Sequence, residues 1–203
     1  MPLLYYIRHG ETDWNAEGRV QGTRDIPLNQ KGMGQASAAG AILRDVLKKT
    51  GRAAADFDFV SSPLTRARHT MDLLRAALGL PSHGYRLDHS LREIAYGEWE
   101  GMTFAEMAKH SPAHYALRLK DRWATPAPAG ESYAQVGERL AAWYGALNVD
   151  TVAVAHGGTM RALMTYLGHL EQQAASDTPI AQGVVYVFEN NKLHKFTASG
   201  EVI

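Results

Sequence analysis

Short apolar runs recur along the chain and predict buried strands. Residues 3–7, 57–60 and 151–155 are almost continuously apolar, and each run is only four or five residues long. Runs of this length, with few polar positions, are typical of strands that are covered on both faces. The chain therefore contains at least three buried strands, at well-separated places.

Apolar stripes with the helical period fill much of the sequence between these strands. The first predicted helix extends to about Lys49, and a helix opened by Gly157 and Gly158 extends to about residue 168. Other predicted helices follow the second strand and precede the third. The residues typical of helix starts are Asn29, Ser62 with Pro63 at the first helical position, and the capping-box pair Ser132 and Gln135.

Near the end of the sequence, residues 183–188 and 192–197 are joined by Asn190 and Asn191, which predicts a β-hairpin. Strands that alternate with amphipathic helices indicate an α/β fold. We predict a three-layer α/β/α sandwich with a mixed, mostly parallel sheet. The stretch at about 91–123 does not follow the alternation, and we interpret it as a helical insertion that forms a lid.

Composition and charge narrow the choice of partners. The 203 residues suit a single domain over 1–203, and 21 basic residues balance 21 acidic ones. A nucleic-acid partner is not expected, because such proteins usually carry a basic excess. The chain has no cysteine, which excludes disulfides and thiolate chemistry. Neither a signal-peptide pattern nor a membrane-spanning run is evident, so we expect a cytoplasmic protein without a membrane partner.

The candidate chemistry lies at the ends of the predicted strands. His9 ends the first strand and His156 ends the third, while Arg66 lies in the first turn of the helix after the second. Because the carboxyl ends of parallel strands share one crevice, these side chains and Arg8 are expected to form a cationic pocket. Such a pocket suits a phosphoryl group, whose charge is spread over three oxygens.

A series of short motifs runs along the chain. In order, they are RHGET at 8–12, WN at 14–15, QG at 21–22, LNQKG at 28–32, SSPLTRA at 61–67, LRE at 91–93, YGEWEG at 96–101, GES at 130–132 and AHGG at 155–158. In these motifs the chain resembles a known family, the histidine phosphatase superfamily, whose best-known branch is the cofactor-dependent phosphoglycerate mutases. The similarity extends over about residues 3–188.

The resemblance implies a role for each matching residue. His9 would be the nucleophile and would carry the phosphoryl group as phosphohistidine, while Glu93 would protonate the leaving oxygen and then activate water. The expected catalytic residues are His9, Glu93, Arg8, Arg66 and His156. The expected substrate-binding residues are Arg8, Asn15, Gln21, Gly22, Arg66, His156 and Gly157. No metal and no cofactor is expected.

Two positions distinguish phosphatase activity from mutase activity. The mutases of the family carry an arginine directly after the catalytic glutamate and a lysine further on, whereas this chain has Ile94 and Phe104 there. We therefore predict a phosphatase that acts on a small phosphorylated metabolite. A mutase-type phosphotransferase is the first alternative, and an inactive phosphate-binding domain is the second. A homodimer is left open.

Several other polar residues were considered for a role in catalysis, metal binding or substrate binding. Glu98 and Glu100 are alternatives to Glu93 as the acid. His110 and His114 are four residues apart, but Pro112 lies between them and no third metal ligand is evident. The cluster of Arg118, Lys120 and Arg122 is expected to be a solvated helix face, with contact to a second anionic group of the substrate as the alternative.

Overall fold

Seven strands form one mixed sheet within residues 2–202, the part of the chain that this computed structural model describes. In spatial order the sheet is β3-β2-β4-β1-β5-β6-β7. The strands are β1 (Leu4–Arg8), β2 (Asp58–Ser61), β3 (Arg86–Leu87), β4 (Thr151–Ala155), β5 (Val185–Glu189), β6 (Lys192–Thr197) and β7 (Gly200–Val202). The α-helices are α1 (Asp13–Ala16), α2 (Gln30–Thr50), α3 (Thr65–Ala77), α4 (Phe104–His110), α5 (Pro112–Lys120), α6 (Tyr133–Gly145), α7 (Gly157–Tyr166) and α8 (Gln172–Ala175).

The sheet has a parallel half and an antiparallel half. Strand β4 lies between β1 and β2 and is parallel to both. Strand β5 is antiparallel to β1 and starts the predicted hairpin with β6. The mixed sheet and all of the predicted strands are thus confirmed, and the unpredicted β7 extends the antiparallel half.

Helices cover both faces of the sheet, which confirms the three layers. Along β1, Tyr5 and Ile7 pack into one buried cluster with α2 and α3. Leu4 and Tyr6 point the other way, into a cluster with α6 and α7. Because both faces of the central strands are buried, these strands are apolar throughout rather than alternating.

Helix α2 begins and ends as its sequence predicts. The side chain of Asn29 accepts a hydrogen bond from Gly32 N–H at 2.9 Å, and Gly51 ends the helix with a φ of 67°. The capping box of Ser132 and Gln135 at the start of α6 is likewise confirmed.

The predicted start of α3 is wrong. Ser62 does not cap this helix and Pro63 precedes it, since the helix begins at Thr65. The carboxylate of Asp25 caps it instead, because it accepts hydrogen bonds from the N–H and the hydroxyl of Thr65 at 2.7 and 2.6 Å. This contact joins residues that are forty positions apart, so local sequence does not reveal it.

The insertion is helical mainly in its second half. Two 3-10 turns and extended backbone precede α4 and α5, and Trp99, Met107 and Ala127 form a small core of its own. Arg118 was predicted to be solvated, and this is wrong. It is buried, donates a hydrogen bond to the carbonyl oxygen of Thr125 and lies over the ring of Tyr96 at 5.5 Å. None of the helices within residues 2–202 has the length and apolar character that a membrane span requires.

Candidate active site

The structure brings the predicted cationic residues together at one edge of the sheet. Arg8 ends β1, His9 follows it, and His156 follows β4. Arg66 lies in the first turn of α3, directly after β2. Since β1, β4 and β2 are neighbours, their carboxyl ends meet, and the ring centroids of His9 and His156 are 5.1 Å apart.

His9 is held as a neutral imidazole with one defined tautomer. Its Nδ1 lies 2.6 Å from the carbonyl oxygen of Gly10, and since a carbonyl only accepts, Nδ1 carries the proton. Burial lowers the pKa of His9 well below 6.5, and the positive charges of Arg66 and Arg8 lower it further. Nε2 therefore keeps its lone pair at neutral pH and can act as a nucleophile.

Each of the two arginines has a side-chain nitrogen left without a protein partner. Arg66 is fully buried and donates to the carbonyl oxygens of Arg24 and Gly22 at 2.7 and 2.9 Å, which leaves Nε unpaired. Burial lowers the pKa of Arg66 to about 10, so it remains charged at neutral pH. Arg8 donates through Nη1 to Ile180 O at 2.7 Å, and its Nε is also unpaired.

His156 completes this group of unpaired nitrogens. Its Nε2 lies 2.7 Å from the hydroxyl oxygen of Ser62, and its Nδ1 has no partner. Among the described residues, the buried side-chain nitrogens and oxygens without partners are Arg8 Nε, Gln21 Oε1, Arg66 Nε, Trp143 Nε1 and His156 Nδ1. Leaving a buried donor unpaired is unfavourable, and three of these nitrogens, those of Arg8, Arg66 and His156, lie at the strand ends beside His9, which indicates a site for an oxyanion.

Glycines after His156 allow these groups to approach one another. A Cβ on Gly157 would lie 3.3 Å from Nε of Arg8, and one on Gly158 would overlap Oε1 of Glu93. The Glu93 carboxylate accepts hydrogen bonds from the N–H groups of Gly158 and Thr159 at 3.2 and 3.3 Å. It thus sits at the N-terminus of α7.

The two alternative acids have other environments. Glu98 is exposed to solvent. Glu100 accepts hydrogen bonds from the N–H and the hydroxyl of Thr23, at 2.8 and 3.0 Å, and so holds the loop that contains Gly22. Of the three glutamates, Glu93 is the one that is bound at the start of α7, next to His156.

Of the remaining predicted binding residues, Gln21 and Gly22 adjoin Arg66, and Asn15 lies in α1. Gly22 has a φ of 51° and offers its carbonyl oxygen to Arg66, and Gln21 beside it is buried. The side-chain oxygen of Asn15 accepts from the N–H of Thr12 and from the amide of Gln182, both at 3.2 Å. Asn15 therefore connects α1 to the segment before β5.

Some residues around the site were missed by sequence reasoning. Arg139 forms an ion pair with Glu131 at 3.1 Å and donates to Ser90 O, while Glu131 accepts from Ala95 N–H at 2.9 Å. Together they hold the segment that carries Glu93. Although Glu131 lies in one of the recognised motifs, its spacing gave no sign of this role.

Arg161 was also missed, as was Gln182. Arg161 donates through Nε to Thr178 O at 2.8 Å, and its Nη1 would lie 3.6 Å from a Cβ on Gly157. A third arginine thus lies close to Arg8 beside the site. Its place in the helical turn after the AHGG motif is the signal that could have identified it.

The positions that distinguish the mutases carry no cation here. Ile94 is buried beside Glu93, and Phe104 is 53% exposed at the start of α4. His110 and His114 have separate hydrogen-bond partners, the Ser111 hydroxyl and the carbonyl oxygen of Pro126. Within residues 2–202 no group of three or more His, Asp or Glu side chains is placed to hold a metal ion.

Comparison with known proteins agrees with this geometry. A family model described as "Histidine phosphatase superfamily (branch 1)" matches residues 4–197. A 2,3-bisphosphoglycerate-dependent phosphoglycerate mutase of Methylocella silvestris is 32% identical, with 92% of this chain and 91% of the relative covered.

Solved structures of phosphatases are similar as well. A mycobacterial glucosyl-3-phosphoglycerate phosphatase in complex with VO3 has a TM-score of 0.73 and 30% identity, with 93% of each chain covered. A phosphoserine phosphatase of Entamoeba histolytica in complex with 3-phosphoglyceric acid has a TM-score of 0.75 and 27% identity, with 100% of this chain and 98% of the other covered.

Proposed function

Since the chain belongs to the histidine phosphatase superfamily (branch 1), whose members are phosphoryl-transfer enzymes, we propose that it is a metal-independent phosphatase of small phosphomonoesters. The observation that carries the proposal is the neutral His9 beside three unpaired nitrogens, those of Arg8, Arg66 and His156. This arrangement offers one nucleophile and a set of donors for the oxygens of one phosphoryl group.

In the first proposed step, Nε2 of His9 forms a bond to phosphorus as the bond to the ester oxygen breaks. The Nε atoms of Arg8 and Arg66 and the Nδ1 of His156 hold the non-bridging oxygens, where charge is concentrated. Glu93, in its acid form, gives a proton to the leaving oxygen, so that an alcohol departs. The result is a phosphohistidine and a Glu93 carboxylate.

In the second proposed step, a water molecule attacks the phosphohistidine and the Glu93 carboxylate accepts a proton from it. The bond between phosphorus and His9 breaks, inorganic phosphate leaves, and the neutral imidazole and the acid form of Glu93 are restored. Because the side chains of Arg8 and Arg66 supply the positive charge, these two reaction steps need no metal ion.

Hydrolysis is favoured over mutase activity by the environment of Glu93. A mutase must keep and turn a doubly charged intermediate, which requires cations aimed at its second charged end. Ile94 is apolar and buried, and Phe104 is apolar, so neither position supplies one. The alternative is a mutase-type phosphotransferase, and its support is the 32% identity to a phosphoglycerate mutase.

The test is to follow 3-phosphoglycerate and p-nitrophenyl phosphate by phosphorus NMR, with and without 2,3-bisphosphoglycerate. We expect inorganic phosphate as the product, without conversion to 2-phosphoglycerate, and unchanged rates after EDTA treatment. The His9→Ala variant should lose turnover and the acid-labile phosphoenzyme together, whereas His89→Ala, at an exposed histidine, should keep both. Efficient conversion of 3- to 2-phosphoglycerate would assign the mutase function instead.

A further inference from the structure

Ser62 places a buried hydroxyl directly behind the second histidine of the site. Ser62 and His156 are both fully buried, and the distance from Oγ to Nε2 is 2.7 Å. Ser62 N–H also donates to Val154 O at 2.9 Å, so the backbone of this residue is fixed to β4. The contact is therefore set by the pairing of β2 with β4 and not by a mobile loop.

The backbone of His156 is fixed independently of Ser62. Its N–H donates to the hydroxyl of Thr159 at 3.1 Å, and its carbonyl oxygen accepts from the hydroxyl of Tyr6 at 3.2 Å. What these contacts leave open is which ring nitrogen carries the proton. Because burial and nearby positive charge lower the pKa of His156 well below 6.5, the ring is neutral and has two tautomers.

Only one tautomer suits an oxyanion site. If the Ser62 hydroxyl donates to Nε2, the ring proton is on Nδ1, and His156 presents an N–H beside the unpaired Nε atoms of Arg8 and Arg66. If the hydroxyl accepts from Nε2 instead, Nδ1 presents a lone pair, which repels phosphoryl oxygens. The Ser62 oxygen already faces a donor, since Leu64 N–H points at it from 3.4 Å.

We propose that Ser62 is a positioning residue, whose hydroxyl donates to Nε2 of His156 and thereby keeps Nδ1 protonated and directed at the phosphoryl oxygens. This inference rests on the phosphate-binding part of the proposed function. It makes His156 a neutral hydrogen-bond donor. Ser62 then fixes the tautomer of the ring, as a carboxylate or carbonyl oxygen often does for a functional histidine.

The first experiment reads the tautomer directly in the intact protein. In histidine labelled with nitrogen-15, two-bond proton–nitrogen correlation spectra show which ring nitrogen carries the proton, and a His156→Gln variant assigns the signals. We expect the Nδ1–H form of His156 in the unaltered protein and a mixture of both forms in Ser62→Ala. An Nε2–H form in the unaltered protein overturns the proposal, whether or not the variant folds.

The second experiment measures the consequence with inorganic phosphate as the probe. Ser62→Ala should weaken phosphate binding about tenfold and slow phosphorylation of His9 by p-nitrophenyl phosphate roughly 10- to 100-fold. Ser62→Thr, which keeps a hydroxyl, should restore most of both.

The matched control is Ser61→Ala. Ser61 is equally buried and adjacent, but its hydroxyl donates to the carbonyl oxygen of Ser62 rather than to His156. It should leave phosphate affinity and the tautomer unchanged. A Ser62→Ala protein that keeps the Nδ1–H form and normal phosphate affinity overturns the proposal. Neither measurement depends on hydrolysis, so mutase activity would refute the proposed reaction and leave this inference intact.

Discussion

At the scale of single residues, two histidines with similar surroundings are prepared for opposite tasks. Both are buried, and both have a pKa lowered well below 6.5, so each ring is neutral at physiological pH. His9 places its proton on Nδ1 by donating to Gly10 O, which frees the lone pair of Nε2. His156 has its Nε2 against the Ser62 hydroxyl, which leaves Nδ1 without a protein partner. The partner of one nitrogen thus decides what the other can do.

The role of Glu93 can be tested by changing the leaving group. Glu93→Gln keeps the shape of the side chain but has no acidic proton, so it should slow phosphorylation by alkyl phosphates about 10²- to 10⁴-fold. The effect on p-nitrophenyl phosphate should be much smaller, because nitrophenolate leaves without being protonated. Single-turnover rates on both esters measure this, with the exposed Glu98→Gln as control. Equal slowing of both would show that Glu93 only positions other groups.

The site could be predicted from sequence where its residues follow strand ends. Arg8, His9 and His156 were located in this way, and the recognised motifs added Glu93. The supporting residues were not, because their roles depend on contacts between distant parts of the chain. Arg139 reaches Ser90, for example, across 49 positions, and neither residue has a local pattern that announces the contact.

At the scale of elements, the close packing of α2 against α3 requires a residue without a side chain. Gly40 lies on the buried face of α2, where an added Cβ would come within 2.6 Å of the Cβ of Ala77 and 2.8 Å of Leu74 O. Gly34, in the same helix, is exposed, and an added Cβ there would meet nothing within 4 Å. The two glycines therefore have different reasons to be there.

This difference predicts opposite changes in stability. Gly34→Ala should raise the free energy of unfolding by about 0.5–1 kcal/mol, since alanine loses less conformational freedom in a helix. Gly40→Ala should lower it by about 1–3 kcal/mol, because the helices must move apart. Urea denaturation of both variants measures the changes. A Gly40→Ala protein as stable as the unaltered one would contradict the close packing described for these helices.

Elements were predicted best where burial alone fixes the pattern. The runs that became β1, β2 and β4 are apolar because helices cover both faces, so their position shows in the sequence. Strand β3 has two residues, both exposed, and carries no such pattern. The start of α3 was misplaced because Ser62 resembles a cap locally, whereas in the fold its hydroxyl lies against His156.

At the scale of the whole molecule, the formal net charge is zero, but the positive and negative charges are distributed unevenly. Arg66 is buried and Arg8 is half-buried beside two neutral histidines, while most ion pairs lie near the surface, such as Arg86 with Asp58 and Asp88. Surface pairs of this kind contribute little to stability. The buried histidines instead make the stability of the protein depend on pH, since folding changes their affinity for protons.

Stability should therefore fall as the pH is lowered below about 6.5. Above that value His9 and His156 are neutral in both the folded and the unfolded protein, so they add no pH dependence. Below it, the unfolded chain binds protons that the folded protein excludes, and each histidine should lower the free energy of unfolding by up to about 1.4 kcal/mol per pH unit. The loss continues until the pH reaches the lowered pKa values of the folded state.

Urea denaturation between about pH 7 and pH 5 measures this dependence. His156→Gln should reduce the slope, because one of the two excluded protons is removed. His89→Ala, which changes an exposed histidine, should not alter the slope. A slope that is the same in all three proteins would mean that other groups cause it.

The position of β4 between β1 and β2 also bears on how the protein is made. During synthesis β1 leaves the ribosome first, yet among the described residues its partner strands are β4 and β5, neither of which begins before residue 151. Until β4 has been made, β1 and β2 lack the strand that joins them, and such distant pairings form slowly. His9 and His156 therefore meet only after residue 156 has been added to the chain. A truncated translation product that ends before β4 cannot assemble the candidate site.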